Sequence, residues 1–434
     1  MELPLTLQAA LIVVAHLFAG AMVQAWLCGR AESVAARVAS SILLGPAILC
    51  VELLVLGACF GSVSYELLVL PWILGGFAWL LRGCVRGTIE LRFSHLLGLA
   101  CALLFIEGAM SLSIPPTHGD PGSNFAGFAR LYAHLGRVDP VAAEGLSILG
   151  HFEYPPLLAA NESLFFQLDD ETGARLLGVL FPVYLVALLL LAWSVLAEGA
   201  SSRVKLVGAA LLLLLALQPS TVEFATYGYA ELPLVAALLW MLIELGSVLE
   251  RGEGGRRKYA GLLLAGLTLA LTKQEGILLA IGIAAVAPAV HGLRATWVPI
   301  AVAAMASAWP LLILSLGLDS GWLSDILGDF SFEKLARVPR AAQALFLETF
   351  AYASYPGSGF ASFAIVTVLL ALVRRVQGAP SRRARLALIG LALHFFVYAL
   401  VFTLTAEEFE WHLHTASGRL AFHFLPHFIL LARR

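Results

Sequence analysis

Long apolar runs without charge recur along this chain, and two of them, residues 206–217 and 277–290, contain no ionisable side chain at all. A run of this kind constrains the fold more than any motif does. In water it would expose contiguous apolar surface and aggregate. In lipid it is well solvated, provided that every backbone N–H and C=O is paired within the segment, which an α-helix achieves. The whole chain follows suit: 60% of its 434 residues are hydrophobic and 13% charged, against about 25% charged in soluble domains. Leu and Ala dominate the runs, and the alternating polarity of a membrane β-barrel is missing. The fold class expected is an all-α polytopic membrane protein, in one domain covering 1–434.

At about 20 apolar residues per span, helices are expected near 5–27, 39–60, 65–81, 94–113, 174–197, 203–218, 226–248, 259–272, 276–291, 296–317, 356–373, 386–405 and 418–432, about thirteen in all. Residues 1–7 lack a basic stretch and no small-residue cleavage site follows, so the first run reads as a retained helix. Basic residues fall in alternate connections: Arg30 and Arg37, then Arg82, Arg86 and Arg92, then Arg203 and Lys205. The alternation continues through Arg251, Arg256, Arg257 and Lys258, Arg294, the 374–385 arginines and the terminal Arg433 and Arg434. Positive charge marks the cytoplasmic side. The N-terminus is therefore expected outside and the C-terminus in the cytoplasm, as in a multi-pass protein of a bacterial plasma membrane.

The outer loops are then 114–173, 219–225, 273–275, 318–355 and 406–417. The first is long for a compact protein, and long loops of this sort are usually functional. Asp120 followed by Pro121 makes an N-cap and first-turn pair. Behind it Phe125, Phe128, Ala129, Tyr132 and Leu135 recur at helical spacing, with Arg130, His134 and Arg137 on the other face. That pattern suits an interfacial helix. A second candidate follows the turn His151-Phe152-Glu153-Tyr154-Pro155-Pro156, with Leu157, Leu158, Leu164, Phe165 and Leu168 as its stripe. Asp120 is the candidate general base or acceptor-positioning carboxylate, with Glu153 behind it, although either could serve only as a cap or a solvated charge.

Lys273 and Glu275 sit in a tight outer turn against the positive-inside trend, which marks them for function or for a local ion pair. Arg419, His423 and His427 share one helix face in the last run. A guanidinium there can hold a phosphate bidentately, or be satisfied by Glu407, Glu408 or Glu410. The two histidines read as core groups in preference to ligands. Glu52, Glu107, Glu231 and Glu244 lie inside spans and must find partners. Cys28, Cys50, Cys59, Cys84 and Cys101 lack metal-ligand spacing and read as small buried hydrophobes. A net charge of −2 gives no reason to expect nucleic acid as a partner.

Four of these pieces, in this order, resemble the membrane-embedded GT-C glycosyltransferases, a superfamily that includes protein O-mannosyltransferases and the aminoarabinose transferases of lipid A. They are the loop Asp120, the Glu153-Tyr154-Pro155-Pro156 segment, the Gly-Leu-Thr-Leu-Ala-Leu-Thr-Lys run ending at Lys273, and the Ser417-Gly418-Arg419-Leu420 segment reaching Pro426. The likeness covers residues 94–434, with 1–93 forming additional N-terminal helices, and Pro121 stands where the mannosyltransferases carry the second acid of an Asp-Glu pair. The resemblance implies a GT-C-like bundle with interfacial helices in loop 114–173. It also implies transfer of a sugar from a polyprenyl-phosphate carrier to a glycan, lipid or protein acceptor at the outer face. Asp120 and Glu153 would be catalytic; Lys273, Arg419, Glu275 and Tyr154 would bind substrate. The lipid-linked sugar is the one donor implied, and no metal ligand is assigned. Two other readings compete. An O-antigen ligase or polymerase type of enzyme would use Arg130 and Arg137, and a transporter would use the four intramembrane glutamates. A scaffold without activity would share the fold.

Overall fold

The computed structural model describes residues 5–28, 33–86, 125–146, 151–197, 200–251, 256–291, 296–318, 332–350, 382–404 and 409–432. Every regular element among them is a helix. The expected spans at 94–113 and 356–373, together with Glu107, His118 and Asp120, lie outside the described residues. Six helices are long and apolar enough to cross a membrane: Leu7–Leu27, Val34–Phe60, Tyr65–Val85, Gly173–Ala197, Glu231–Leu249 and Ala384–Leu404. Two bent pairs raise the number to eight if each counts as one span. The chain is an all-helical membrane protein with six to eight such helices among the described residues.

The chain divides into two compact units, Met1–Ala187 with Ala225–Ala230, and Leu188–Phe224 with Glu231–Arg434. The first opens with α1 (Leu5–Val23), which runs into a wider π-turn at Gln24–Cys28, α2 (Val34–Phe60) and α3 (Tyr65–Val85). Ser33 caps α2 by accepting the Ala36 N–H at 3.1 Å. Helices α1 and α2 touch backbone to backbone. A Cβ on Gly20 would strike the Ser41 carbonyl, and one on Gly45 would strike the His16 carbonyl. Moving four residues down α1 moves the contact four residues up α2, so the pair is antiparallel. Small residues at such crossings substitute for the hydrophobic drive that lipid does not supply. Polar contacts add to it: Gln24 Nε2 donates to Ser40, and Ser41 Oγ donates to Gln24 Oε1 at 3.0 Å. Glu52 accepts the Trp72 indole N–H at 2.8 Å, which gives one of the intramembrane glutamates its partner.

The loop helices of this unit are α4 (Phe128–Leu135), α5 (Pro140–Glu144), α6 (Leu157–Phe166) and the start of α7 (Asp170–Ala197). Helix α4 ends at Gly136, whose φ of +64° a side chain would resist, and the Gly136 carbonyl accepts the Val63 N–H at 2.7 Å. Arg137 donates to the Gly61 carbonyl at 3.0 Å and to Asp139 at 2.7 Å. The loop is thus tied to the α2–α3 turn. Asp139 with Pro140 forms the cap and first-turn pair of α5, accepting the Ala142 N–H at 3.0 Å. Burial opposes its charge, but the Ala142 amide and the Arg137 guanidinium prevail and hold the carboxyl below the usual carboxylate range.

The two expected interfacial helices are placed differently from the sequence reading. The aromatic face of α4 (Phe128, Ala129, Tyr132, with Phe125 just before it) is buried, and α4 packs on α6. All ten residues of α6 are buried, and the helix packs against both α2 and α4. Neither helix offers an apolar stripe outward. Asn161 of α6 shows why a polar residue survives there: its amide donates to the Pro46 and Leu157 carbonyls at 3.0 and 2.5 Å, and its oxygen meets His16 Nε2 at 2.6 Å.

The second unit holds α8 (Ser202–Ala216) and the start of α9 (Pro219–Tyr227), whose residues from Ala225 on belong to the first unit; α8 and α9 form a bent pair, at 61°. There follow α10 (Glu231–Arg251), α11 (Arg256–Thr272), α12 (Gln274–His291), and the pair α13 (Trp297–Ala306) and α14 (Ala308–Ser315), bent by 44°. The unit closes with α15 (Phe332–Leu335), α16 (Val338–Phe350), α17 (Arg382–Leu404), α18 (Phe409–Phe422) and α19 (Leu425–Leu431). Helix α10 is the hub, packed against α11, α12, α17 and α19. The expected runs 226–248, 296–317 and 418–432 are each interrupted. Gly228 turns the chain at φ +81° ahead of α10, Ser307 separates α13 from α14, and the chain breaks at His423 and Phe424 before Pro426 starts α19.

Candidate functional site

Helices α11 and α12 are separated by one non-helical residue, Lys273. Gly276 allows so short a turn, because a Cβ there would strike the Leu269 carbonyl. The turn drives Lys273 inward. Its side chain is only 5% exposed, and Nζ donates to Glu231 Oε1 at 3.3 Å. Glu275 Oε1 lies 3.1 Å from the same ammonium. Glu231, the first residue of α10, is 1% exposed and stands where a helix N-terminus favours negative charge. Arg419, in the last turn of α18, brings a guanidinium nitrogen to 3.7 Å from Glu231 Oε1 and stays 21% exposed.

Among the described residues, two cations and two carboxylates therefore share one corner of the second unit, and the formal charges of these four cancel. Hydrogen bonding there is incomplete: Glu231 Oε2, Glu275 Oε2 and Gln274 Nε2 are buried and have no hydrogen-bond partner among the described residues. A buried ion pair costs desolvation that its Coulomb attraction only partly returns. Such an arrangement is well suited to a group that enters and completes the coordination.

Beside this corner stand two rungs of paired rings. The Tyr398 hydroxyl lies 2.6 Å from His423 Nδ1, and His394 Nδ1 lies 3.1 Å from His427 Nε2. All four side chains are buried. Gly390 makes room for the inner rung, since a Cβ there would come within 2.9 Å of the His427 ring. His423 is within electrostatic reach of Lys273 and Arg419, and Tyr398 of Glu275 and Glu231. Among the described residues no group of three His, Cys, Asp or Glu side chains is arranged to hold a metal ion.

The structure brings together four of the residues singled out in the sequence, Lys273, Glu275, Arg419 and Glu231, with Glu231 as the common partner of the two cations. The local ion pair of Lys273 with Glu275 forms, and the buried ammonium pairs with Glu231 as well. Of the carboxylates expected for Arg419, Glu410 pairs with Arg340 at 2.7 Å, and Glu407 and Glu408 lie outside the described residues. Glu244 is satisfied within its own helix by the Trp240 indole at 3.1 Å. Glu153 and Tyr154 belong to the first unit. Glu153 Oε1 lies 2.9 Å from His151 Nδ1, and Tyr154 stacks on the same imidazole at 5.1 Å. Asp120 lies outside the described residues.

Arg130 and Arg137 have different partners. Arg130 lies on Asp170 at 2.6 Å and over the Phe166 ring at 4.7 Å, beside a polar cleft of about 600 Å³ that His134 and Glu66 also line. Arg137 is engaged by Asp139 and Gly61. The residues that sequence reasoning missed are Tyr398 and His394. Their four-residue spacing on α17 matches that of His423 and His427, a parallel that was there to be read. Comparison of the chain with family models, curated proteins and solved structures finds no match.

Proposed function

We propose that this chain is a membrane glycosyltransferase that takes a sugar from a polyprenyl-phosphate carrier and passes it to a glycan, lipid or protein acceptor at the outer face of a bacterial plasma membrane. The bundle would be GT-C-like with about thirteen spans, its N-terminus outside and its C-terminus in the cytoplasm. The observation that supports this reading is the meeting of Lys273 and Arg419 at one oxygen of Glu231, at 3.3 and 3.7 Å, from helices far apart in sequence. Two cations at a low-dielectric rim suit a lipid phosphate that gains charge as it leaves. The acceptor oxygen would attack the anomeric carbon while the carbon–oxygen bond to the phosphate breaks, its electron pair staying on the phosphate oxygen. The acceptor's proton would pass to a carboxylate base, Asp120 being the candidate that the resemblance offers.

The test is turnover by purified protein in lipid nanodiscs. Polyprenyl-phosphate sugar should release free carrier phosphate only when an acceptor is added, and Asp120→Asn should abolish release while carrier still binds. Release that ignores the acceptor, or survives that substitution, contradicts the assignment.

A transporter is the competing reading, and the formal neutrality of the corner favours it, since exchange of Lys273 between Glu231 and Glu275 could accompany ion passage. Substrate-coupled ion flux in proteoliposomes, with no sugar transfer, would select it.

A further inference from the structure

An anion cannot simply be added to this corner. Lys273 and Arg419 are already matched by Glu231 and Glu275, so an entering phosphate would leave surplus negative charge beside a carboxylate that is 1% exposed. Charge of that kind is removed most cheaply by protonation, because a buried carboxylate without its cation is costly as an anion and cheap as an acid. The geometry singles out Glu231 as the group that changes. Its Oε1 occupies the position between both cations that a phosphate oxygen would take, and its Oε2 has no hydrogen-bond partner.

We propose that anion occupancy between Lys273 and Arg419 is coupled to uptake of a proton by Glu231, which holds the two cations when the site is empty and yields them, neutralised, when it is filled. This rests on the carrier-phosphate reading above and gives that site a pH dependence of its own. The groups that set the coupling are Lys273 at the α11–α12 turn, Glu275 on α12 and Arg419 on α18. Tyr398 on α17 and His423, paired to each other at 2.6 Å, lie within electrostatic reach of the corner and respond to the charge at Glu231. His394, in ring contact with Tyr398, pairs in turn with His427 at 3.1 Å.

The experiment is titration calorimetry on the full chain in nanodiscs, repeated in buffers of different ionisation enthalpy so that bound protons are counted. Farnesyl phosphate at pH 8 represents a lipid headgroup, and inorganic sulfate, whose charge does not vary, represents a free anion. The expected result is binding of farnesyl phosphate with uptake of about one proton, and an affinity falling up to about tenfold per pH unit as Glu231 becomes harder to protonate. Glu231→Gln should bind without proton uptake and with a flat pH profile. Binding of the wild type without proton uptake overturns the proposal, as does uptake that persists in Glu231→Gln. Should that variant fail to fold, the wild-type pH slope decides when read with farnesyl sulfate, whose headgroup cannot itself take up the proton. Sulfate binding as tightly as farnesyl phosphate with the same uptake would keep the proton coupling and remove the lipid carrier. No binding of either anion removes both.

Discussion

Lys273 and Arg419 approach the same oxygen of Glu231, one from a turn between two helices and the other from the last turn of α18. Lys273 is almost wholly enclosed, whereas Arg419 keeps 21% of its side chain exposed. The buried member supplies structure and the exposed member supplies access, and the two should respond differently to substitution.

Lys273→Met leaves Glu231 buried without its hydrogen-bonded cation. Loss of one partner of a buried pair costs about 3–5 kcal/mol. The double variant Lys273→Met with Glu231→Gln should recover most of that loss, because the uncompensated charge is gone. Thermal unfolding in detergent reads both. Equal melting temperatures for the single and double variants would show that the pair carries no such strain.

Gly45→Ala tests the α1–α2 contact. The added carbon would strike the His16 carbonyl, a backbone atom that cannot rotate away, so the helices must part. Overpacking of this sort costs about 1–3 kcal/mol. Gly75→Ala is the control, since its new carbon would meet only the flexible end of Met22 at 3.5 Å. The first variant should melt clearly below the second.

Glu162 predicts a pH effect. Burial pushes its carboxyl up to about 8, with only partial relief from Arg130. The unfolded chain ionises near the ordinary value of 4.5 while the folded chain stays neutral. Folded stability therefore drops as pH rises from about 4.5 to about 8, and then levels off. Glu162→Gln should remove that portion of the slope in a plot of melting temperature against pH. An unchanged slope would mean that Glu162 finds a partner in solution.

How much of this was legible in advance depends on the kind of information each feature carries. Composition and uncharged runs report solvent preference directly, so the helical membrane class was readable from stretches such as 277–290. Lys273 and Arg419 stood out because an ionisable residue in an apolar context needs a reason. Which partner each takes was hidden, because Glu231 meets them through packing of α10 against its neighbours, and periodicity along one helix is silent about the next. Helix α6 makes the same point: its stripe predicts one buried face, whereas all ten of its residues are buried and it packs against both α2 and α4. The break at His423 and Phe424 was obscured because the residues on both sides are apolar, although Pro426 marks the place. Asp139 and Pro140 carry the same cap signature as Asp120 and Pro121 and form a cap at the start of α5, so the signature locates helix starts without saying which one serves a site.

The central claim is that Lys273 and Arg419 hold a lipid phosphate, and the most direct measurement is a density map of the protein in nanodiscs saturated with a polyprenyl phosphate. The account predicts phosphate density between Lys273 Nζ and the Arg419 guanidinium, with Glu231 moved off both. Density for the headgroup elsewhere, with the ion pairs to Glu231 intact, would contradict it.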